Sequence, residues 1–91
     1  RGKAKMGPYC ASKAAVITLT ESMAEEYKQD DINVNCILPG TIDTPQNRDA
    51  MPDADYGNWV SPAALAEVVL FLSSNAARCV SGAAVPVYGR S

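Results

Sequence analysis

The sequence contains no histidine. That removes every serine–histidine or cysteine–histidine scheme for nucleophilic catalysis. Its three cysteines, Cys10, Cys36 and Cys79, are odd in number, far apart and free of any Cys-x-x-Cys pair. A disulfide framework and a zinc site are both disfavoured, and reduced, buried thiols in a cytoplasmic protein are the expectation. Charge of one sign is also lacking, with a formal net charge of −2, so neither nucleic acid nor an anionic membrane is indicated as a partner. No apolar run is long enough to cross a bilayer, and no signal-peptide pattern opens the chain. What is present is the composition of a globular protein, with 47% hydrophobic and 20% charged residues in 91 positions. This length allows one small domain or a piece of a larger one.

The chain begins at Arg1 rather than a methionine and meets its most chemically suggestive stretch, Tyr9-Cys10-Ala11-Ser12-Lys13-Ala14-Ala15-Val16, within ten residues. This start reads as a fragment, or else as a record whose true start is Met6. Residues Arg1 to Gly7 read as a basic loop, with Pro8 in the first turn of a helix, where its missing N–H costs nothing. From Tyr9 to about Lys28 the pattern is helical, with Val16, Leu19, Thr20, Met23 and Tyr27 forming a stripe expected to be buried. Glu21, Glu25, Glu26, Lys28 and Gln29 supply a solvated face.

Tyr9 and Lys13 stand four residues apart and so lie one above the other on that helix. An ammonium beside a phenol favours the phenolate and lowers its pKa. Moving a tyrosine from about 10 to near neutrality corresponds to on the order of 4 kcal/mol of differential stabilisation. A lysine aided by a cationic cofactor could supply it. The spacing alone also fits an ordinary helix with one buried aromatic and one solvated lysine, since two fixed positions recur by chance.

Downstream, residues 32–38 (Ile-Asn-Val-Asn-Cys-Ile-Leu) predict a strand buried on both faces, ended by Pro39-Gly40. Thr41 to Pro62 carries Pro45, Pro52 and Pro62 and predicts a long irregular loop of the kind that forms lids. Ser61-Pro62 opens a second helix, from about Ala63 to Asn75, expected to bury Leu65, Val68, Val69 and Leu72. Residues 83–88 form a final strand whose Pro86 predicts an edge. The order helix, strand, long loop, helix, strand contains one parallel crossover unit of an α/β fold.

Three blocks, Tyr9-x-x-x-Lys13-Ala14-Ala15, then Asn33 to Thr44 (Asn-Val-Asn-Cys-Ile-Leu-Pro-Gly-Thr-Ile-Asp-Thr), then Ser81 to Gly89, together resemble the C-terminal half of a short-chain dehydrogenase/reductase. The loop from Asp43 to Asp55, followed by Trp59, is also similar to the substrate loop of quinoid dihydropteridine reductases. The resemblance implies the C-terminal part of a Rossmann-type doubly wound parallel sheet, residues 1–91 forming a partial domain without its nucleotide-binding half. The glycine-rich turn that seats a pyrophosphate, the residue that chooses between NAD and NADP, and the family's catalytic serine have no counterpart among the 91 residues.

It further implies an NAD(P)-dependent oxidoreductase acting on a carbonyl or imine in a small-molecule substrate, with NAD or NADP as cofactor in the complete enzyme. Tyr9 would donate the proton. Lys13 would lower the Tyr9 pKa and hold the nicotinamide ribose. Pro39 and Gly40 would let backbone pass close to the nicotinamide, and Ile42 backbone and the Thr44 hydroxyl would meet its carboxamide, unless both simply pack the loop. Asn35 is expected to tie the strand to neighbouring backbone rather than touch a ligand. Arg48 and Trp59 belong to the substrate loop, where Trp59 either covers a flat ring or anchors the loop. Asp53 and Asp55 read as solvated, with Asp55 setting a turn. The alternative is a truncated, non-catalytic α/β module or oligomerising relic. The 91 residues alone are expected to be inactive and, with the edge of the strand at residues 32–38 free and a helix face uncovered, to form a homo-oligomer or to be poorly soluble.

Overall fold

The computed structural model describes residues 7–90. The chain divides into two compact units, one built from residues 7–36 with 79–84, the other from 37–78 with 85–90.

In the first unit the dominant element is helix α1, Gly7–Tyr27, continued by a turn of 3-10 helix at Lys28–Asp30. Asp31 closes it in the left-handed conformation, φ 62°, its N–H donating to the Lys28 carbonyl. Pro8 falls in the first turn, as its missing N–H favours. Gly7 belongs to the helix rather than to the expected loop; the rest of that loop, with Met6, lies outside the described residues. The expected stripe is only partly buried. Thr20 is buried and donates its hydroxyl to the Val16 carbonyl at 2.7 Å, and Met23 and Tyr27 are half-buried, but Val16 and Leu19 stand open to solvent. Ala24 is the buried apolar residue of this helix. It is met by Gly82, whose φ of +77° and whose position 3.3 Å (for an added Cβ) from the Ala24 Cβ both call for a residue without a side chain. The polar face is solvated as expected, with Lys28 and Glu25 paired at 2.6 Å.

The strand expected over residues 32–38 is shorter than its apolar pattern: β1 runs Cys36–Pro39. The preceding residues are held through side chains instead of a ladder. Val34 N–H donates to Ser81 Oγ, and Gly82 N–H to the Val34 carbonyl at 2.7 Å. Asn35 ties both ways, donating to the Val80 carbonyl at 2.9 Å and accepting from Ala83 N–H at 3.0 Å. Its expected role, joining strand to neighbouring backbone, is what the side chain does.

β1 pairs with β2, Ala84–Val87. Cys36 N–H donates to Ala83 O and Gly40 N–H to Val87 O, so both partners advance together and the pair is parallel. Each residue of β1 is half-buried, not buried on both faces, because the described sheet has two strands. Pro86, in β2, is exposed, as a residue without an N–H requires.

In the second unit the stretch between β1 and the last helix is more ordered than its prolines suggest. It holds helix α2, Pro45–Ala50, a 3-10 turn at Tyr56–Asn58, and a parallel bridge between Ile42 and Val60. Val60 is buried. Asp55 caps the 3-10 turn, accepting from Gly57 N–H at 3.1 Å, and so does set a turn. Helix α3, Pro62–Leu72, starts on Ser61, whose Oγ accepts from Ala64 N–H at 3.1 Å. It ends at Leu72 rather than Asn75, where Ser74 and a further 3-10 turn, Asn75–Ala77, take over. Leu65, Val68 and Leu72 are half-buried; Val69, Leu70 and Phe71 are exposed. After β2 the chain turns at Gly89, φ +63°, and Arg90 N–H donates to the Asn58 carbonyl at 2.9 Å.

Candidate active site

Two sets of residues carry the expected chemistry, one in each unit. On α1 the four-residue spacing places the Lys13 ammonium 5.1 Å from the centroid of the Tyr9 ring. This is within the range of a cation–π contact. Tyr9 is 53% exposed while Lys13 is half-buried, the reverse of a buried aromatic beside a solvated lysine. The phenol is thus presented outward with a cation beside it. Ser12 points its hydroxyl back to the Pro8 carbonyl at 2.9 Å and is occupied by the helix itself. The thiols differ from expectation: Cys10 and Cys36 are half-buried and Cys79 is exposed, and all three are free.

In the other unit Pro39, Gly40, Ile42 and Thr44 follow one another along the turn that leaves β1. The bridge to Val60 decides how their peptide groups face. Val60 N–H donates to the Thr41 carbonyl at 2.9 Å, and Asp43 N–H donates to the Val60 carbonyl at 2.7 Å. The Ile42 carbonyl accepts from Asn47 Nδ2 at 2.8 Å. Of the four polar groups on the two peptides flanking Ile42, three are engaged. The fourth, the Ile42 N–H, has no acceptor among the described residues. Thr44 caps α2, its Oγ1 accepting from Asn47 N–H at 3.1 Å, which leaves its hydroxyl proton to be placed elsewhere. Asn47 therefore touches both groups expected to meet a carboxamide. Its importance is not written in residue type, but Thr44-Pro45 carries the same cap-then-proline signature that identifies Ser61-Pro62.

Arg48 and Trp59 are brought together through a residue not singled out in the sequence, Tyr56. The Arg48 guanidinium lies 4.3 Å from the Tyr56 ring centroid, and the Tyr56 and Trp59 rings are 4.9 Å apart, tilted by 51°. Tyr56 Oη bonds to the Pro52 and Arg48 carbonyls at 3.0 and 3.3 Å. Arg48 also forks onto Asp43, Nε to Oδ1 at 2.7 Å and a terminal nitrogen to Oδ2 at 2.9 Å. These hydrogen bonds, with the guanidinium charge, hold the Asp43 carboxyl below the usual carboxylate range and raise Arg48. Trp59, half-buried against Tyr56, packs the loop.

Among the described residues no group of three His, Cys, Asp or Glu side chains is arranged to hold a metal, and no helix is long and apolar enough to cross a membrane.

The architecture, a parallel strand pair joined through a helix, is that of an α/β fragment of Rossmann type, and known proteins place it further. A family model described as enoyl-(acyl carrier protein) reductase matches residues 1–89. The chain is 37% identical over 98 residues to 2-(S)-hydroxypropyl-CoM dehydrogenase 3 of Xanthobacter autotrophicus, an alignment covering 92% of this chain and 38% of that protein. Among solved structures it is similar to a hydroxysteroid dehydrogenase from Escherichia coli, with a TM-score of 0.84, 33% identity, and coverage of 99% of this chain and 38% of the other. It is also similar to a 4-hydroxyisoleucine dehydrogenase mutant complexed with NADH and succinate, with a TM-score of 0.78, 30% identity, and coverage of 90% and 38%. The chain belongs to the short-chain dehydrogenase/reductase family. It spans about two fifths of the length of these relatives.

Proposed function

We propose that this chain contributes the proton-transfer and nicotinamide-facing residues of an NAD(P)-dependent oxidoreductase that reduces a carbonyl or imine in a small molecule. The observation that carries the reading is the exposed Tyr9 phenol with the Lys13 ammonium 5.1 Å from its ring. Tyr9 donates its hydroxyl proton to the substrate oxygen or nitrogen during reduction and recovers it in the reverse direction. Lys13 places its ammonium beside the phenol as its activator, and its three donors suit ribose hydroxyls.

The donor set of the Pro39–Thr44 turn suits a carboxamide, which offers one acceptor and two donor hydrogens. Ile42 N–H is a donor with no protein acceptor among the described residues, and Thr44 Oγ1 and the second lone pair of the Ile42 carbonyl are acceptors beside it in sequence. Tyr9, Lys13, Pro39, Gly40, Ile42 and Thr44 would hold the nicotinamide part of NAD or NADP. When bound, that group supplies or accepts the hydride. Support for a nicotinamide cofactor also comes from the NADH bound to the related 4-hydroxyisoleucine dehydrogenase. Arg48 and Trp59, joined through Tyr56, form the substrate loop. In this role Trp59 steadies the loop by packing on Tyr56 rather than by covering a ring.

The reading is tested by titrating the chain with NADH and NADPH while following Trp59 fluorescence. Saturable binding is expected. Its absence would remove the cofactor from this chain and leave the second reading, a non-catalytic α/β module. That alternative is favoured by the small described core: Ala24, Val60 and Ala77 are its buried apolar residues, while Leu70 and Phe71 are 70% and 50% exposed. The same exposure supports association of the chain with copies of itself. Sedimentation is expected to find an oligomer, and a monodisperse monomer would contradict it. A cytoplasmic location is the accompanying reading, resting on three free thiols.

A further inference from the structure

Asn47 is tied to the two groups in the turn after β1 that the cofactor reading uses, and it is tied to them by different atoms. Its backbone N–H donates to Thr44 Oγ1 at 3.1 Å. Its side-chain Nδ2 donates to the Ile42 carbonyl at 2.8 Å, a contact outside the regular backbone bonding of α2. The first contact is an ordinary helix cap and depends on backbone alone. The second needs an amide at position 47.

Its consequence is geometric. The peptide joining Ile42 to Asp43 is bonded at both ends, by Val60 through the Asp43 N–H and by Asn47 through the Ile42 carbonyl. The peptide joining Thr41 to Ile42 is bonded at its carbonyl, by Val60. With those three contacts made, neither peptide can rotate without breaking a bond, and the Ile42 N–H is held in one direction. Without the Asn47 donor, the Ile42–Asp43 peptide would be anchored only through its Asp43 N–H.

We infer that Asn47 is a positioning residue for nicotinamide recognition: its side-chain amide fixes the Ile42–Asp43 peptide so that the Ile42 carbonyl faces a carboxamide, while Val60 holds the neighbouring peptide that carries the Ile42 N–H. The inference rests on the proposed carboxamide contact at Ile42 and Thr44. Asn47 itself does not touch the ligand. A pre-set donor and acceptor bind more tightly because the ordering is already in place before the ligand arrives.

Substitution of the amide by a carboxylate separates positioning from folding. Asn47→Asp keeps the size and the backbone N–H that caps onto Thr44. It also places a negative charge in the first turn of α2, which a helix tolerates well. A carboxylate has no hydrogen to give the Ile42 carbonyl. The chain and its variants are titrated with reduced nicotinamide mononucleotide, and amide hydrogen exchange is measured over residues 45–51. Asn47→Asp is expected to weaken binding about 10-fold, the scale of one lost hydrogen bond to an oriented group, while protection in α2 is unchanged. Asn47→Gln, which retains an amide, is expected to recover part of the affinity.

Thr44→Val keeps the two readings distinguishable. If the unchanged chain binds the mononucleotide, Thr44→Val weakens it and Asn47→Asp does not, Asn47 has no positioning role and the carboxamide contact stands. If Asn47→Asp weakens binding only together with loss of α2 protection, its role is structural and the inference is overturned. If neither variant alters binding, or the unchanged chain binds nothing, the carboxamide contact itself falls and takes this inference with it.

Discussion

The face of α1 that carries Tyr9 and Lys13 and the turn from Pro39 to Thr44 are constructed by opposite means. The first is held by helix periodicity alone: two side chains four residues apart, one exposed, meeting at 5.1 Å. The second is held by bonds from elsewhere in the chain, Val60 to both neighbours of Ile42 and Asn47, five residues on, to the Ile42 carbonyl. A pair set by periodicity can be recognised from spacing, and changing one member leaves its surroundings intact. A backbone site set by bridging cannot be read from any two positions, and it fails when a supporting contact fails. Proton-transfer chemistry tolerates the first kind of support because a phenol reaches its partner through side-chain rotamers. Recognition by peptide groups requires the second because a backbone N–H has no rotamer of its own.

The comparison is broken most sharply at Tyr9. In a full-length enzyme carrying this chain, Tyr9→Phe is expected to lower the rate of carbonyl or imine reduction by about 10²- to 10⁴-fold, the usual contribution of a positioned acid. NADH affinity and thermal stability are expected to stay as they were. Turnover close to that of the unchanged enzyme would remove Tyr9 from the reaction.

The bonded region is tested next at its far support. Gly89 has φ +63°, and a Cβ there would stand 2.9 Å from the Asn58 carbonyl and 3.2 Å from a Val60 methyl. Gly89→Ala is expected to cost about 1–2 kcal/mol from the left-handed backbone alone, with the clash adding to it, in urea denaturation. An unchanged midpoint would mean that the Asn58–Val60 segment is not held by the chain's last turn.

A smaller effect is expected at the cap of α3. Ser61→Ala removes the acceptor of the Ala64 N–H and is expected to cost about 1 kcal/mol by the same measurement, with no effect on cofactor affinity.

The smallest is the acid response of the Asp43–Arg48 fork, which is exposed to water and salt. The folded-state pKa of Asp43 is lowered, first by its hydrogen bonds to Arg48. Its contribution is therefore fully present above the unfolded carboxylate value of about 3.9 and is lost as pH falls through the lower folded value. A carboxyl NMR titration is expected to place the Asp43 midpoint below the ordinary carboxylate range, and Arg48→Gln to bring it up toward that range. A midpoint already within that range would show that the fork does not persist in solution.

Much of the fold was legible because it rests on local chemistry. Pro8 marked the first turn of α1, Ser61-Pro62 the start of α3, and Pro86 an exposed position in β2. The turn containing Ile42 and Thr44 was legible as a place, through Pro39-Gly40, but not as a bonding pattern. The same cap-and-proline signature at Thr44-Pro45 marks α2, hidden in a stretch where three prolines suggest irregular chain. Tyr56 was not legible at all. Its role comes from standing between Arg48 and Trp59 at 4.3 and 4.9 Å, and no spacing rule announces such a stack. The apolar stripe of α1 over-reads burial because periodicity specifies which residues share a face and says nothing of what covers that face: Leu19 is 59% exposed.

By itself the sequence determined where helices begin, where glycine and proline interrupt the chain, and that Tyr9 and Lys13 share one helix face. Each of these follows from forces acting across a few residues, namely peptide sterics, capping and the 3.6-residue turn. The tertiary structure alone decided that β1 starts at Cys36, that the Ile42 N–H has no acceptor among the described residues, and that Asn47 holds the carbonyl beside it. Those outcomes depend on which distant groups satisfy each backbone N–H and C=O, a balance closed only when Val34 meets Ser81 and Ile42 meets Val60.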